Sequence, residues 1–480
     1  MMNLSTVQKK LALSHTRVGV MMAALLYLIC LTGTLLVPAE EWKRWQQPEV
    51  SEYSHLPPES LQQAINDYQS SNDASPESLW VVFPTTGLPR THLSDEESEW
   101  WLDQQGIRQQ PVNEGVIHTL SELHTHLLMP GQVGVIIVGI LGVLLTSLIL
   151  SGLISHRRLF KDAFRLRRGS GPQSQIDLHN RLSVWGVPFH LMMSVTGAFF
   201  GVVTLLMALA IPLIYGGSQQ ALIDQVYGSD PVLDADVTPI DATKIMHTMT
   251  EVAPDASPLY LVWQQPGTRQ QFVEVAATLP GRLIYSEIYR FTVSGSYLGK
   301  QGMSDGPWGR QLIYSVYRLH FGLFDGLGVK LAYLVLGLSL TVVCVSGISI
   351  WLRKQPRSIK LQSLWAGWVW GVPLSLVFAA LGDHLLSIPP LGCLLLGLGL
   401  CLLWSSVQTR HPGIKLQRLL ALSLIVLLLG YALTHQGWTH NGAAVWLNLG
   451  LLGAALWLLI RSRPQYSPTS EQPQPQLERL

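Results

Sequence analysis

Apolar residues in this chain fall into eight long runs, at roughly 17–37, 132–154, 184–212, 329–352, 363–382, 390–407, 416–434 and 442–460. Each is long enough to cross a hydrocarbon layer of about 30 Å as a helix. Two long polar segments interrupt the series, at 40–120 and 217–315, and in both the pattern changes. Pro58 to Tyr68 reads as a capped helix start, followed by an alternating strand at Leu79–Phe83, a turn at Thr86–Pro89 and a strand around Glu99–Asp103. The second segment runs the same way, with a helix from Pro239 and strands at 259–263, 271–275 and 288–292. The pattern therefore predicts a mainly α polytopic membrane bundle of about eight spans carrying two small α+β modules.

The runs also repeat. His15-Thr-Arg-Val-Gly19 reaches Thr32-Gly33 after seventeen residues, and His179-Asn-Arg-Leu-Ser183 reaches Thr196-Gly197 after the same seventeen. Leu123-His124 precedes a span ending Ser151-Gly152, as Leu319-His320 precedes one ending Ser346-Gly347. Each unit is span, polar module, span. The organisation that follows is span 1 at 10–39, module 1 at 40–120, span 2 at 121–156, a basic loop at 157–178, span 3 at 179–216, module 2 at 217–315 and span 4 at 316–354. A four-span bundle at 355–462 and a disordered tail at 463–480 complete it.

Composition supports this class: 48% of the 480 residues are hydrophobic, only 13% are charged, and mean hydropathy is +0.27. The first run ends at Pro38-Ala-Glu-Glu, a poor small-residue cleavage site, so it reads as a span rather than a removed signal. Lysine and arginine set the orientation. Arg157, Arg158, Lys161, Arg165, Arg167 and Arg168 lie between spans 2 and 3, and Arg353, Lys354, Arg357 and Lys360 follow span 4. These loops are expected in the cytoplasm together with both termini, which places the modules in the periplasm of a bacterial inner membrane. Residues 40–120 hold fourteen Asp and Glu against four Lys and Arg, an acidic face that the same rule leaves outside. The four cysteines, Cys30, Cys344, Cys393 and Cys401, all lie in spans, which argues against a periplasmic disulfide or thiol relay. No Gly-x-Gly-x-x-Gly follows a strand, so no bound nicotinamide or flavin is expected, and nothing points to nucleic acid.

Ionisable residues within spans are costly and mark sites facing a bundle interior. Eleven residues separate His179 from His190. On a straight helix that interval is about 20° past three turns and about 16 Å of rise, so both would share one face.

Taken together, the doubled span–module–span order, His15-Thr-Arg-Val-Gly19, the Thr-Gly endings, and Leu-His-x-Gly-x-x-x-Gly-x-Gly at Leu319–Gly328 resemble the PepSY-associated transmembrane proteins. The resemblance covers about residues 10–355 and leaves the four C-terminal spans outside it. It implies PepSY-like modules and, as in some members, haem-containing reduction of siderophore-bound iron. The residues agree with two haems b: neutral imidazoles from facing helices can hold a low-spin iron, and one haem cannot cover about 30 Å of hydrocarbon. No Cys-x-x-Cys-His occurs, which excludes covalent attachment.

Ligands are expected as one inner pair from His15, His156 and His179 and one outer pair from His124, His126, His190 and His320, with His179 and His320 ranked first. The repeat favours His15 with His179, and His124 or His126 with His320. His190 could ligate iron or bond a propionate, and Arg17 and Arg181 could neutralise propionates. Trp365, Trp368 and Trp370 read as interfacial anchors, and no helical spacing pairs His384, His435 and His440. The expected activity is electron transfer from a cytoplasmic or quinone-pool donor, through the lipid-embedded chain, to a ferric chelate or siderophore. A PepSY sensor or peptidase regulator, and a transporter, are the competing classes.

Overall fold

The computed structural model describes residues 4–71, 76–155, 161, 164, 172–355, 359–408 and 412–463; the basic loop around His156 and the tail from 464 lie outside the described residues. Among the described residues eight helices are long and apolar enough to cross a membrane: Thr6–Leu36, Gln132–Ser155, Val187–Ile214, Leu327–Arg353, Ile359–Leu386, Pro390–Val407, Pro412–Thr434 and Gly442–Arg461, here spans 1 to 8. The protein is a multi-pass membrane protein. Hydropathy alone would let these helices drift apart in lipid, so small residues decide how they meet. Span 2 lies against span 3 through Gly139 and Gly142, which face Gly201 and Ala198; a Cβ built on Gly139 would stand 2.5 Å from the Gly201 Cα. Span 1 crosses span 4 where Thr34 fills the space left by Gly337. At that crossing Cys344 donates to Cys30 at 3.9 Å, so these two cysteines pack on each other.

The two modules share a single antiparallel sheet. Its strands are β1 (Ser78–Val82), β2 (Thr91–Ser94), β3 (Glu99–Leu102), β4 (Arg108–Pro111), β5 (Ser257–Gln264), β6 (Phe272–Thr278), β7 (Glu287–Phe291) and β8 (Tyr297–Lys300), in the order β4-β3-β2-β1-β5-β6-β7-β8. The seam is β1 on β5, with Trp80 opposite Val262. Pairing the inner edges removes two sheet edges that separate modules would leave open. Alternation along β1 turns Leu79 and Val81 inward, and Leu261, Val273, Val275 and Phe291 join them under the helices Pro58–Ser71 and Ala242–Val252. Those helices are bonded to each other, Gln62 donating to the Ile240 carbonyl and accepting from the Ala242 amide.

Spans 5 to 8 form part of the main core. Tyr27 of span 1 donates to the Val369 carbonyl, Trp368 donates to the Ala24 carbonyl, and Trp365 meets Tyr27 edge-on at 6.1 Å. Trp365 and Trp368 therefore dock span 5 on span 1, in place of the lipid-anchoring role expected of them. On the sheet side Trp45 is the wedge: it stacks on Tyr431 at 4.5 Å, donates to Asn448 and is 1% exposed. Trp45→Ala is expected to lower the apparent unfolding temperature in detergent, on the scale of about 3–5 kcal/mol for a buried aromatic. Trp45→Phe, which keeps a stacking ring, is expected to recover most of that loss.

Candidate functional site

Four histidines dock in four corresponding cradles. The spans of each repeat run antiparallel, so the histidine on one chain segment faces the hydroxyl–glycine pair on the other. His15 Nδ1 bonds the Leu148 carbonyl at 3.0 Å and Ser151 Oγ at 3.3 Å, while His124 Nδ1 bonds the Ile29 carbonyl at 3.1 Å and Thr32 Oγ1 at 3.2 Å. In the second repeat His179 Nδ1 bonds the Val343 carbonyl at 3.1 Å and Ser346 Oγ at 3.0 Å, and His320 Nδ1 bonds Thr196 Oγ1 at 2.9 Å. A carbonyl only accepts, so Nδ1 carries the proton in the first three rings. Thr196 spends its own proton on the Met192 carbonyl at 2.7 Å, so its oxygen accepts from His320 in the same way. Nε2 is left as the lone-pair nitrogen each time.

The glycine after each hydroxyl residue makes room for the ring. A Cβ on Gly33 would stand 2.6 Å from His124 Cε1, and Cβ atoms on Gly152, Gly197 and Gly347 would meet the rings of His15, His320 and His179 at 3.1, 3.3 and 3.3 Å.

The cradles bring the rings together in pairs. His124 and His320 have centroids 6.4 Å apart and planes tilted by 31°. Two imidazoles binding one metal from opposite sides, with bonds of about 2 Å, have centroids roughly 6 Å apart. Both residues stand on helices that precede their spans, Gly115–Thr125 and Trp308–Phe321. Burial pulls the His124 imidazole down to about 4 and that of His320, beside it, to about 3. Both are then neutral and able to coordinate. Phe200 and Phe321 close edge-on around His320 at 5.4 and 5.6 Å.

At the other end of the spans His15 and His179 line one cavity of about 400 Å³, walled by Val20, Leu145, Leu148, Val187, Leu340 and Ile348 among others. Its size suits a cofactor, and its walls are apolar with a few convergent polar groups. His190 lines the same cavity. It is 2% exposed and its Nε2 has no partner. The helix carrying His179 ends at Trp185 and the next begins at Val187, but Gly186 between them keeps helical geometry and its amide and carbonyl bond Leu182 and His190, so His179 and His190 share one face and line the same cavity. His190 accordingly belongs with the inner pair, not with the outer set where the spacing put it.

His126 does not enter the outer pair; its Nδ1 meets Thr125 Oγ1 at 2.7 Å and Glu122 at 3.4 Å. His156 lies outside the described residues. Neither Arg17 nor Arg181 lines the inner cavity: Arg17 is exposed, Arg181 lies over the Trp185 ring, and among the described residues the cation at the cavity wall is Lys354. His384 and His435, unpaired by sequence spacing, are 3.2 Å apart, and His435 bonds Glu49 at 2.6 Å. Sequence reasoning missed the hydroxyl partners Thr32, Ser151, Thr196 and Ser346. Their signal was present, as four Ser-Gly or Thr-Gly pairs at matching places in the repeat.

The family model for the PepSY-associated TM region matches residues 12–354. An uncharacterised protein of Pseudomonas aeruginosa, PA4219, is 29% identical over 378 residues, covering 68% of this chain and 95% of the relative. All four cradles fall inside the matched segment. The chain belongs to the PepSY-associated TM region family.

Proposed function

We propose that the chain is a di-haem b electron conduit of the bacterial inner membrane, a haem-dependent oxidoreductase that reduces ferric iron in a siderophore or other chelate on the periplasmic side. The observation that carries the reading is the pairing of His124 with His320 at 6.4 Å, each ring held by Nδ1 with Nε2 left free. His15 and His179 repeat the arrangement around the inner cavity. These four residues would hold the two haems, which when bound supply one-electron exchange at iron.

The chain's part is position and exclusion of water. The cradles fix tautomer and ring plane, and the apolar walls keep the inner site dry. The basic loops argue for cytoplasmic termini and a periplasmic sheet, so the sheet frames the mouth beside His124 and His320. There a hydrophilic chelate could dock without entering hydrocarbon. One electron from a cytoplasmic or quinone-pool donor converts chelated Fe(III) to Fe(II), which hard oxygen ligands hold less well.

Purified protein should give two haems per chain by pyridine haemochrome. After dithionite reduction it should be reoxidised by a ferric chelate, with Fe(II) captured by a ferrous-specific dye. Reduced haems that persist in excess chelate would overturn ferric reduction and favour the sensor class.

A further inference from the structure

The four cradles differ in one respect. In three of them Nδ1 meets both the Ser or Thr hydroxyl and the backbone carbonyl three residues before it: Leu148 with Ser151, Ile29 with Thr32, and Val343 with Ser346. The corresponding carbonyl in the fourth cradle is that of Met193; like its three counterparts it accepts the hydroxyl three residues on, here at 3.3 Å, but it takes no bond from the histidine. Among the described residues His320 has Thr196 Oγ1 as its sole Nδ1 acceptor. A peptide carbonyl is a stronger acceptor than an alcohol oxygen. The hydrogen bond on the far nitrogen governs how basic the ligating nitrogen is, and a more basic imidazole favours Fe(III) over Fe(II).

We infer that Thr196 is a positioning residue that makes His320 the weakest donor of the four, so that the His124–His320 site has the higher reduction potential and electrons run downhill from the inner site to the outer one. The inference rests on the di-haem reading and adds a driving force for its outward direction. The inner pair, His15 and His179, has two carbonyl-backed imidazoles; the outer pair has one carbonyl-backed and one hydroxyl-backed. The rings of Phe200 and Phe321 stand edge-on to His320 and add no acceptor of their own.

Potentiometric titration of the purified holoprotein, followed in the α band, tests this. Wild type is expected to titrate in two waves, with the higher one absent from His320→Ala. Thr196→Val leaves Nδ1–H without an acceptor and should move the higher wave further up while the lower stays in place; Thr196→Ser should restore it. Ser346→Ala is the control, because the Val343 carbonyl still serves His179, and its shift should be much smaller. If Thr196→Val cannot retain the outer haem, Thr196→Asn, which offers an amide carbonyl oxygen, should move the higher wave down toward the lower. The inference is overturned if the higher wave is the one lost in His15→Ala, if Thr196→Val moves neither wave or only the lower, or if Ser346→Ala shifts its wave as far as Thr196→Val. Wild-type protein without haem would instead refute the di-haem reading itself.

Discussion

His320→Ala is expected to hold one haem per chain in place of two, with the inner haem's spectrum unchanged. His124 would remain in its cradle, but a lone imidazole does not keep a low-spin six-coordinate iron. The residues beside it in the chain offer no substitute: Leu319, Phe321 and Gly322 carry no ligand atom. His126 is turned to Thr125 and Glu122. The converse is expected for His15→Ala, whose loss empties the inner site and spares the outer. His179→Ala should abolish the low-spin signal of the inner haem. The readouts are pyridine haemochrome stoichiometry and the reduced α band of purified protein. If His320→Ala and His179→Ala both kept two haems with unaltered spectra, the four rings would be structural and the electron conduit would be wrong. Reduction of an external ferric chelate should fail in His320→Ala while dithionite still reduces the inner haem, because the break lies at the outward end of the path.

The repeat was legible because it is written in the linear order of residues: seventeen-residue intervals from His15 and His179 need no knowledge of packing. The eight spans were legible for a similar reason, since hydropathy is a local sum. What the chain did not declare is which helix faces which. Ser151 and Ser346 read as ordinary small residues at span ends, and only the antiparallel approach of spans 1 and 2, and of 3 and 4, turns them into histidine partners.

The same limit hid the fusion of the two modules, for β1 and β5 look like strands in either arrangement and the seam between them is a tertiary choice. Strands β2, β4 and β8 have four residues each, too short for a period-2 signal to rise above a loop. Trp365 and Trp368 were misplaced because a tryptophan near a span end reads as a lipid anchor unless a partner such as Tyr27 or the Ala24 carbonyl is known to be there. His384 and His435, from spans 5 and the loop after 7, meet across the bundle and leave no trace in spacing.

Gly33→Ala is expected to cost the outer haem although all four candidate ligands remain in the chain. The added methyl would lie 2.6 Å from His124 Cε1, 3.2 Å from Nδ1 and 3.3 Å from Nε2, so it falls on the ring itself and not on a flexible tip. The ring cannot turn aside without giving up both the Ile29 carbonyl and Thr32. Those bonds set its tautomer, and moving it also breaks the 6.4 Å match to His320. The equivalent substitutions form a graded series, because the Cβ contacts at Gly152, Gly197 and Gly347 are 3.1, 3.3 and 3.3 Å. A shift of a few tenths of an ångström relieves these, so Gly197→Ala and Gly347→Ala should keep two haems, and Gly152→Ala should weaken the inner site only modestly. Haem stoichiometry across the four variants checks the order. Equal retention in all four would mean that the cradles do not hold the rings at fixed separation, and with that the geometric case for paired ligation at His124 and His320 would be lost.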